Sequence, residues 1–147
     1  KEAKDFINNY FETYPGIRDY MAKIVLEAHE VGYVKTIMGR KRVINELKNK
    51  NYNIRSMGER MALNTPIQGS SADILKKAMI EIDREFAKRG LKSRMLLQIH
   101  DELVFNVLVD EEEIVKKIVK NIMENTYKIS VPIVADINIG ADLYEAK

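Results

Sequence analysis

An α+β fold, with helices on one face of an antiparallel sheet of the split βαβ kind and with that sheet's first strand missing, is what these 147 residues predict. Three observations lead there. Apolar stripes at helical spacing, with start and stop signals, fill much of the chain. Two short apolar runs, residues 95–99 and 103–107, enclose only His100, Asp101 and Glu102, which makes a hairpin with charge at its tip. From Pro66 onward the order reads helix, strand, strand, helix, strand, a βαββαβ unit without its opening strand. In such a unit the first strand lies mid-sheet beside the hairpin, so an upstream segment is expected to supply it.

Taken in order, residues 3–14 place Phe6, Ile7, Tyr10, Phe11 and Tyr14 at helical spacing, and Pro15-Gly16 stops that helix. Such an aromatic stripe reads as core rather than as a base-stacking surface. Ile17, Tyr20, Met21, Ile24, Val25 and Ala28 form a second stripe closed by Gly32. His29, alone on that helix, reads as structural or merely exposed. Residues 33–38 and 40–44 then form a short hairpin about Gly39, with Arg40, Lys41 and Arg42 on its return strand. Its bland reading is a sheet edge protected by charge, and its functional reading is contact with phosphates.

Residues 45–53 are Asn, Lys and Glu with little to bury, so a mobile loop is expected, followed by a short helix over 54–63. Thr65, Pro66 and Gln68 suit the N-cap, N1 and N3 positions of a capping box, so a new helix is expected to begin there. It runs to about residue 89, with Ile67, Ile74, Leu75, Ala78, Met79, Ile82 and Phe86 towards the core and Gly90 beyond its end. After the central hairpin, the acidic residues 110–113 sit where a helix dipole favours negative charge, a structural role. Ile114, Val115, Ile118, Val119 and Ile122 carry that helix to about residue 127, and the β-branched run 129–139 reads as a last strand. The natural partition is residues 1–65, helices with a basic hairpin and loop, and residues 66–147, the sheet-bearing core of one fragment.

A chain of this length with 46% hydrophobic residues can bury one core. It has no cysteine, which excludes disulfides and thiolate metal sites and fits a reducing cytoplasm. No apolar run approaches the ~20 residues of a membrane span, so no membrane partner is expected. With neither a signal peptide nor an initiating Met, the chain reads as part of a longer polypeptide. Charge is uneven: residues 35–60 carry eight basic against two acidic side chains, whereas residues 108–147 carry five against eight. The first region can face a polyanion and the second cannot.

The tip of the central hairpin holds the candidate chemistry. A three-residue loop would put Met95, Leu97, Ile99, Leu103, Phe105 and Val107 on one face. Tight hairpins favour Gly, Asn or Asp-Gly at the bend, and none is present. Giving up that turn chemistry for adjacent carboxylates points to a site, because the two repel and gain nothing in packing. Paired carboxylates suit a hard cation such as Mg2+, with Mn2+ as the variant; a solvated acidic turn is the alternative.

These residues also resemble a known family. Gln98-Ile-His-Asp-Glu-Leu-Val-Phe105 is similar to motif C of the family A, polymerase I type DNA polymerases. Glu59-Arg-Met-Ala-Leu-Asn-Thr-Pro-Ile-Gln-Gly-Ser-Ser-Ala-Asp73 resembles the segment preceding motif C there, and Gly32-Tyr-Val-Lys-Thr-Ile-Met-Gly-Arg-Lys-Arg42 resembles the basic hairpin before that.

The resemblance implies a palm domain with adjoining parts of the fingers, at or near a polymerase C-terminus. It implies that Asp101 is a catalytic metal ligand and Glu102 an acidic neighbour with a lesser or indirect role. It likewise implies that His100 and Gln98 contact the primer end, and that Arg60, Asn64 and Gln68 line the primer-template junction. Gln68 has the capping box as a competing role, and Arg60 could instead pair with an acidic neighbour. The family's motif A aspartate and motif B helix do not occur in these residues. Two-metal phosphoryl transfer needs carboxylates clamping ions about 3.5–4 Å apart, so the fragment alone is expected to be inactive. The expected partners are primer-template DNA, deoxynucleoside triphosphates and the upstream part of the same polymerase, with self-association of the fragment through its open sheet edge. The other readings are a non-catalytic nucleic-acid-binding module built on a split βαβ sheet, and a structural domain with an acidic turn.

Overall fold

The computed structural model describes residues 2–146, which form two compact units, Lys1–Ser70 and Ser71–Lys147. In the first unit, α1 (Glu2–Thr13) and α2 (Pro15–Val31) are separate helices. Pro15 has no N–H to offer the preceding turn and so starts α2. Gly32 ends it with a φ of 77°. α1 buries none of its residues, and Phe6, Ile7, Tyr10 and Tyr14 are exposed. Its aromatic stripe is therefore surface, with the Tyr10 ring beside those of Phe11 and Tyr14, at 5.7 and 5.3 Å between ring centres. Helical spacing says which side chains share a face, not whether anything covers it.

The basic hairpin is present but shorter than expected, with β1 (Tyr33–Lys35) antiparallel to β2 (Lys41–Val43). Thr36 ends the ladder by tying the loop to itself. Its carbonyl accepts from Gly39 N–H at 2.9 Å, and its hydroxyl accepts from Arg40 N–H at 3.1 Å. The expected loop over 45–53 instead contains a 3-10 turn, Asn45–Lys48, that buries Leu47. One leucine among polar residues has no periodicity to reveal it. Leu47 joins Ala28, Val34, Ile44 and Ala62 in the core of this unit.

The helix expected to break before Pro66 does not break: α3 runs without interruption over Tyr52–Arg89, 38 residues. The capping box is consequently absent. Thr65 has turned its hydroxyl back onto the preceding turn, donating to Met61 O at 2.7 Å, and Ser70 Oγ donates to Pro66 O. A proline costs a helix one hydrogen bond and a steric clash, about 3 kcal/mol. Packing around this turn offsets that cost, because β1, β2 and the 3-10 turn lie against α3 here. Glycines make room for it: a Cβ on Gly69 would sit 2.7 Å from Thr36 Cγ2, and one on Gly58 would sit 3.0 Å from Glu46 Cβ. Gly58, Ala62, Thr65 and Gly69 thus form one small-residue face. Ile67, two residues from both Thr65 and Gly69, lies on the far side and is exposed rather than in the core.

In the second unit, α3 ends at Gly90, where φ is 67° and Leu91 N–H reaches back to Phe86 O at 3.0 Å. β3 (Arg94–Ile99) and β4 (Glu102–Asn106) form the central hairpin, and a 3-10 turn, Val109–Glu111, leads into α4 (Glu112–Asn125). Ile82 and Phe86 of α3 and Val115, Ile118 and Val119 of α4 form the core, covered by Met95, Leu103, Phe105 and Val107 of the hairpin segment. Residues 129–139 make no strand. Their alternation is that of a strand, but pairing requires a partner edge, and the described residues bring none to them. The fold is thus α+β with two separate two-stranded antiparallel sheets.

Candidate functional site

The tip of the central hairpin is tighter than its sequence predicts. Ile99 pairs with Glu102, so the turn holds two residues, His100 and Asp101, not three. A register shift between Met95 and Leu97 leaves Leu96 as an extra residue. These two features divide the apolar side chains that the expected three-residue loop would have kept together. Met95, Leu103 and Phe105 pack on the core, with exposed Gln98 in register with Leu103 nearer the tip, while Leu97 and Ile99 share the other side with Glu102 and Val104. Leu97 is accordingly 53% exposed.

His100 has a φ of 54°, the single non-glycine positive value among the described residues. This is the first turn position, where tight hairpins ordinarily place glycine. A side chain in the left-handed region costs about 1–2 kcal/mol. Gln98 Nε2 donates to His100 O at 3.0 Å on the exposed side of the turn. Asp101 and Glu102 beyond it are exposed. Among the described residues no group of three or more His, Asp or Glu side chains could hold a metal ion. Asp101 and Glu102 supply oxygen donors of the kind Mg2+ prefers, but only a partial ligand set.

A second group of candidate residues lies along α3. Arg60, Asn64 and Gln68, at intervals of four, form one exposed stripe, on the side away from the small-residue face. Without a capping box Gln68 has no competing structural duty. Among the described residues Arg60 bonds within its own helix, from Nη1 to Ser56 Oγ at 3.2 Å.

The basic hairpin is partly occupied by its own fold. Arg40 Nη2 donates to Gly69 O and Arg42 Nη1 to Thr65 Oγ1, each at 3.2 Å, clamping the hairpin to α3 at the Pro66 turn. Ile37 N–H donates to Ser70 Oγ at 2.8 Å in the same place. Lys41 Nζ lies 4.7 Å from the centre of the Tyr33 ring. His29, which the sequence left as structural or exposed, has its Nε2 3.1 Å from Glu59 Oε1 and links α2 to α3.

Glu111 is a supporting residue that sequence reasoning missed. Its carboxylate accepts from Lys92 N–H at 2.8 Å and Ser93 N–H at 2.7 Å, fixing the entry to β3. Those bonds, with Lys92 first, hold its carboxyl below the usual Glu range. Within an acidic run, nothing in periodicity marks one glutamate as the clamp. On α4, hydrogen bonds that Lys116 Nζ donates to Glu112 and then Glu113 raise its pKa above the usual lysine range.

The fold is a mixture of helices and small antiparallel sheets, with the carboxylate-tipped hairpin in the second unit and the polar helix stripe and basic hairpin in the first. Comparison with known proteins gives the family. The model of DNA polymerase family A matches residues 1–145, and the chain belongs to that family. It is 50% identical over all 147 residues to DNA polymerase I of Streptococcus pneumoniae and 48% identical to that of Bacillus subtilis. It spans 17% of the length of each of these relatives. It also resembles the POL domain of Pol1 from M. smegmatis, in a complex with DNA primer-template and dNTP, with a TM-score of 0.87 at 45% identity. That match covers 89% of this chain and 23% of the other.

Proposed function

We propose that this chain is the motif C part of a DNA-directed DNA polymerase and acts in template-directed nucleotidyl transfer as part of a longer polymerase chain. In that reaction the 3′-hydroxyl of a primer gives up its proton and attacks the α-phosphate of a deoxynucleoside triphosphate, breaking the bond to the β-phosphate and releasing pyrophosphate. The observation that carries the reading is the hairpin tip, where an exposed carboxylate follows a histidine in a strained left-handed turn. Strain of this kind persists where function requires it. The family, and a relative captured with DNA primer-template and dNTP, support the same reading.

In this proposal Asp101 holds a divalent cation, Mg2+ or Mn2+, and Glu102 tunes the charge beside it. Such a cation, when bound, neutralises charge that develops on the phosphate and the attacking oxygen. His100 meets the primer end. Arg60, Asn64 and Gln68 line the primer-template junction, and Lys41 with the outer faces of Arg40 and Arg42 follows the duplex backbone. A palm sheet of split βαβ type is completed when an upstream strand, bearing the second carboxylate, fills the place beside β3 and β4. Residues 1–65 and 66–147 then serve as finger-side and palm parts of one polymerase domain. No helix among the described residues is long and apolar enough to cross a membrane, and the proposed place of work is the nucleoid in the cytoplasm.

The reading as a non-catalytic sheet that stacks bases loses its aromatic platform. Phe105 packs into the core against Phe86, 6.0 Å between ring centres, and is not offered to a base. Primer extension by the full-length polymerase tests the proposal: Asp101→Ala lowers metal-dependent incorporation by at least a hundredfold, on the scale of losing a residue that contacts the reacting groups. Near wild-type incorporation would refute it.

A further inference from the structure

We propose that Gln98 is a positioning residue that aims Asp101, rather than a residue that binds DNA directly. This rests on reading Asp101 as the metal-holding carboxylate. Gln98 is paired with Leu103 next to the hairpin tip and is exposed there. Its Nε2 turns back along the chain and donates to His100 O at 3.0 Å. That oxygen belongs to the peptide unit joining His100 to Asp101. A bond to it therefore fixes the plane from which the Asp101 backbone departs. The same bond acts against the tendency of His100, at a φ of 54°, to relax out of the left-handed region.

The neighbours give the turn no other side-chain hydrogen bond among the described residues. Ile99 and Glu102 close the ladder on either side through backbone pairing alone. A two-residue turn without glycine is therefore held by one amide, placed two residues before the strained position. Loss of that amide frees the His100–Asp101 peptide to rotate, which moves the carboxylate while leaving the strands paired. A misplacement of about 1 Å at a reacting centre can cost on the order of a hundredfold in rate.

The test pairs a conformational with a kinetic readout. Gln98→Met keeps the length of the side chain and removes the donor, and Gln98→Glu places an anion against the carbonyl. In the 147-residue chain, the backbone coupling and Cα shift of His100, read by nuclear magnetic resonance, are expected to leave the left-handed signature in both variants. In the full-length polymerase, the same variants are expected to lower the maximal extension rate by about tenfold or more, with primer-template Kd and triphosphate KM unchanged. A His100 signature that stays left-handed in both variants would overturn the proposal. So would weakened primer-template binding at an unchanged maximal rate, which would make Gln98 a DNA contact. Asp101→Ala, assayed in parallel, separates the two levels: full activity there removes the underlying reading, whatever the turn does.

Discussion

His100 occupies a backbone conformation that glycine adopts without strain, yet the chain places an imidazole there. If the side chain were present for the fold, removing it would cost stability. His100→Gly relieves roughly 1–2 kcal/mol of left-handed strain and gives back roughly 0.4–1 kcal/mol through greater freedom of the unfolded chain. Urea unfolding of the 147-residue chain should therefore show unchanged or higher stability, by up to about 1.6 kcal/mol. Primer extension by the full-length polymerase should slow in the same variant. Marked destabilisation would instead make His100 a structural residue. Asp101 and Glu102, both exposed, likewise contribute little to packing, so their effects should appear in activity and not in melting.

At the scale of elements, α3 carries both the support and the proposed interface. One side, Gly58, Ala62, Thr65 and Gly69, admits the hairpin and the 3-10 turn; another presents Arg60, Asn64 and Gln68. Gly69→Ala sets two effects against each other. Alanine favours the helix by about 1 kcal/mol, but the added methyl meets Thr36 Cγ2 at 2.7 Å and must push the hairpin away. Overpacking typically costs about 1–3 kcal/mol, so a net loss of stability is expected in thermal unfolding, with β1 and β2 loosened. The junction of α3 with β3 depends instead on charge. Glu111 has its pKa lowered by the N–H groups of Lys92 and Ser93, so it stabilises the fold above the unfolded Glu value of about 4.3. That contribution is lost as pH falls through the lower folded value. Glu111→Gln should flatten the acid limb of the stability curve and leave the alkaline limb unchanged, as read by urea titrations from neutral pH downward.

For the whole molecule, the decisive point is how much of a polymerase these residues contain. They span 17% of the length of relatives to which they are 50% identical, and the proposed metal site holds only the adjacent Asp101 and Glu102. Clamping two ions needs further carboxylates. The 147-residue chain, given Mg2+, primer-template and all four triphosphates, is therefore expected to extend no primer. Sustained extension abolished by Asp101→Ala would show that it holds a complete site. Leu97 and Ile99 on the outer face of the hairpin, and Val131, Val134 and Ile139 beyond α4, are exposed. Apolar surface of this extent favours association, and sedimentation of the isolated chain should show concentration-dependent oligomers.

Local chemistry determined much of this protein. Stop signals at Pro15, Gly32, Gly39 and Gly90 act within a residue or two of themselves, and each ends or turns its element where the sequence places it. The family was equally legible, because three motifs in order leave few alternatives. Only tertiary structure decided the continuity of α3 through Pro66, the burial of Leu47, the exposure of α1's aromatics and the unpaired state of residues 129–139. In each case the outcome depended on what another segment offered: a hairpin to brace the proline turn, a core to take the leucine, or no partner. The hairpin tip lies between these limits. Its carboxylates could be picked out from residue types alone, but the two-residue turn, the extra Leu96 and the left-handed His100 arise from pairing register. Register is a property of two strands together, and neither strand's sequence contains it.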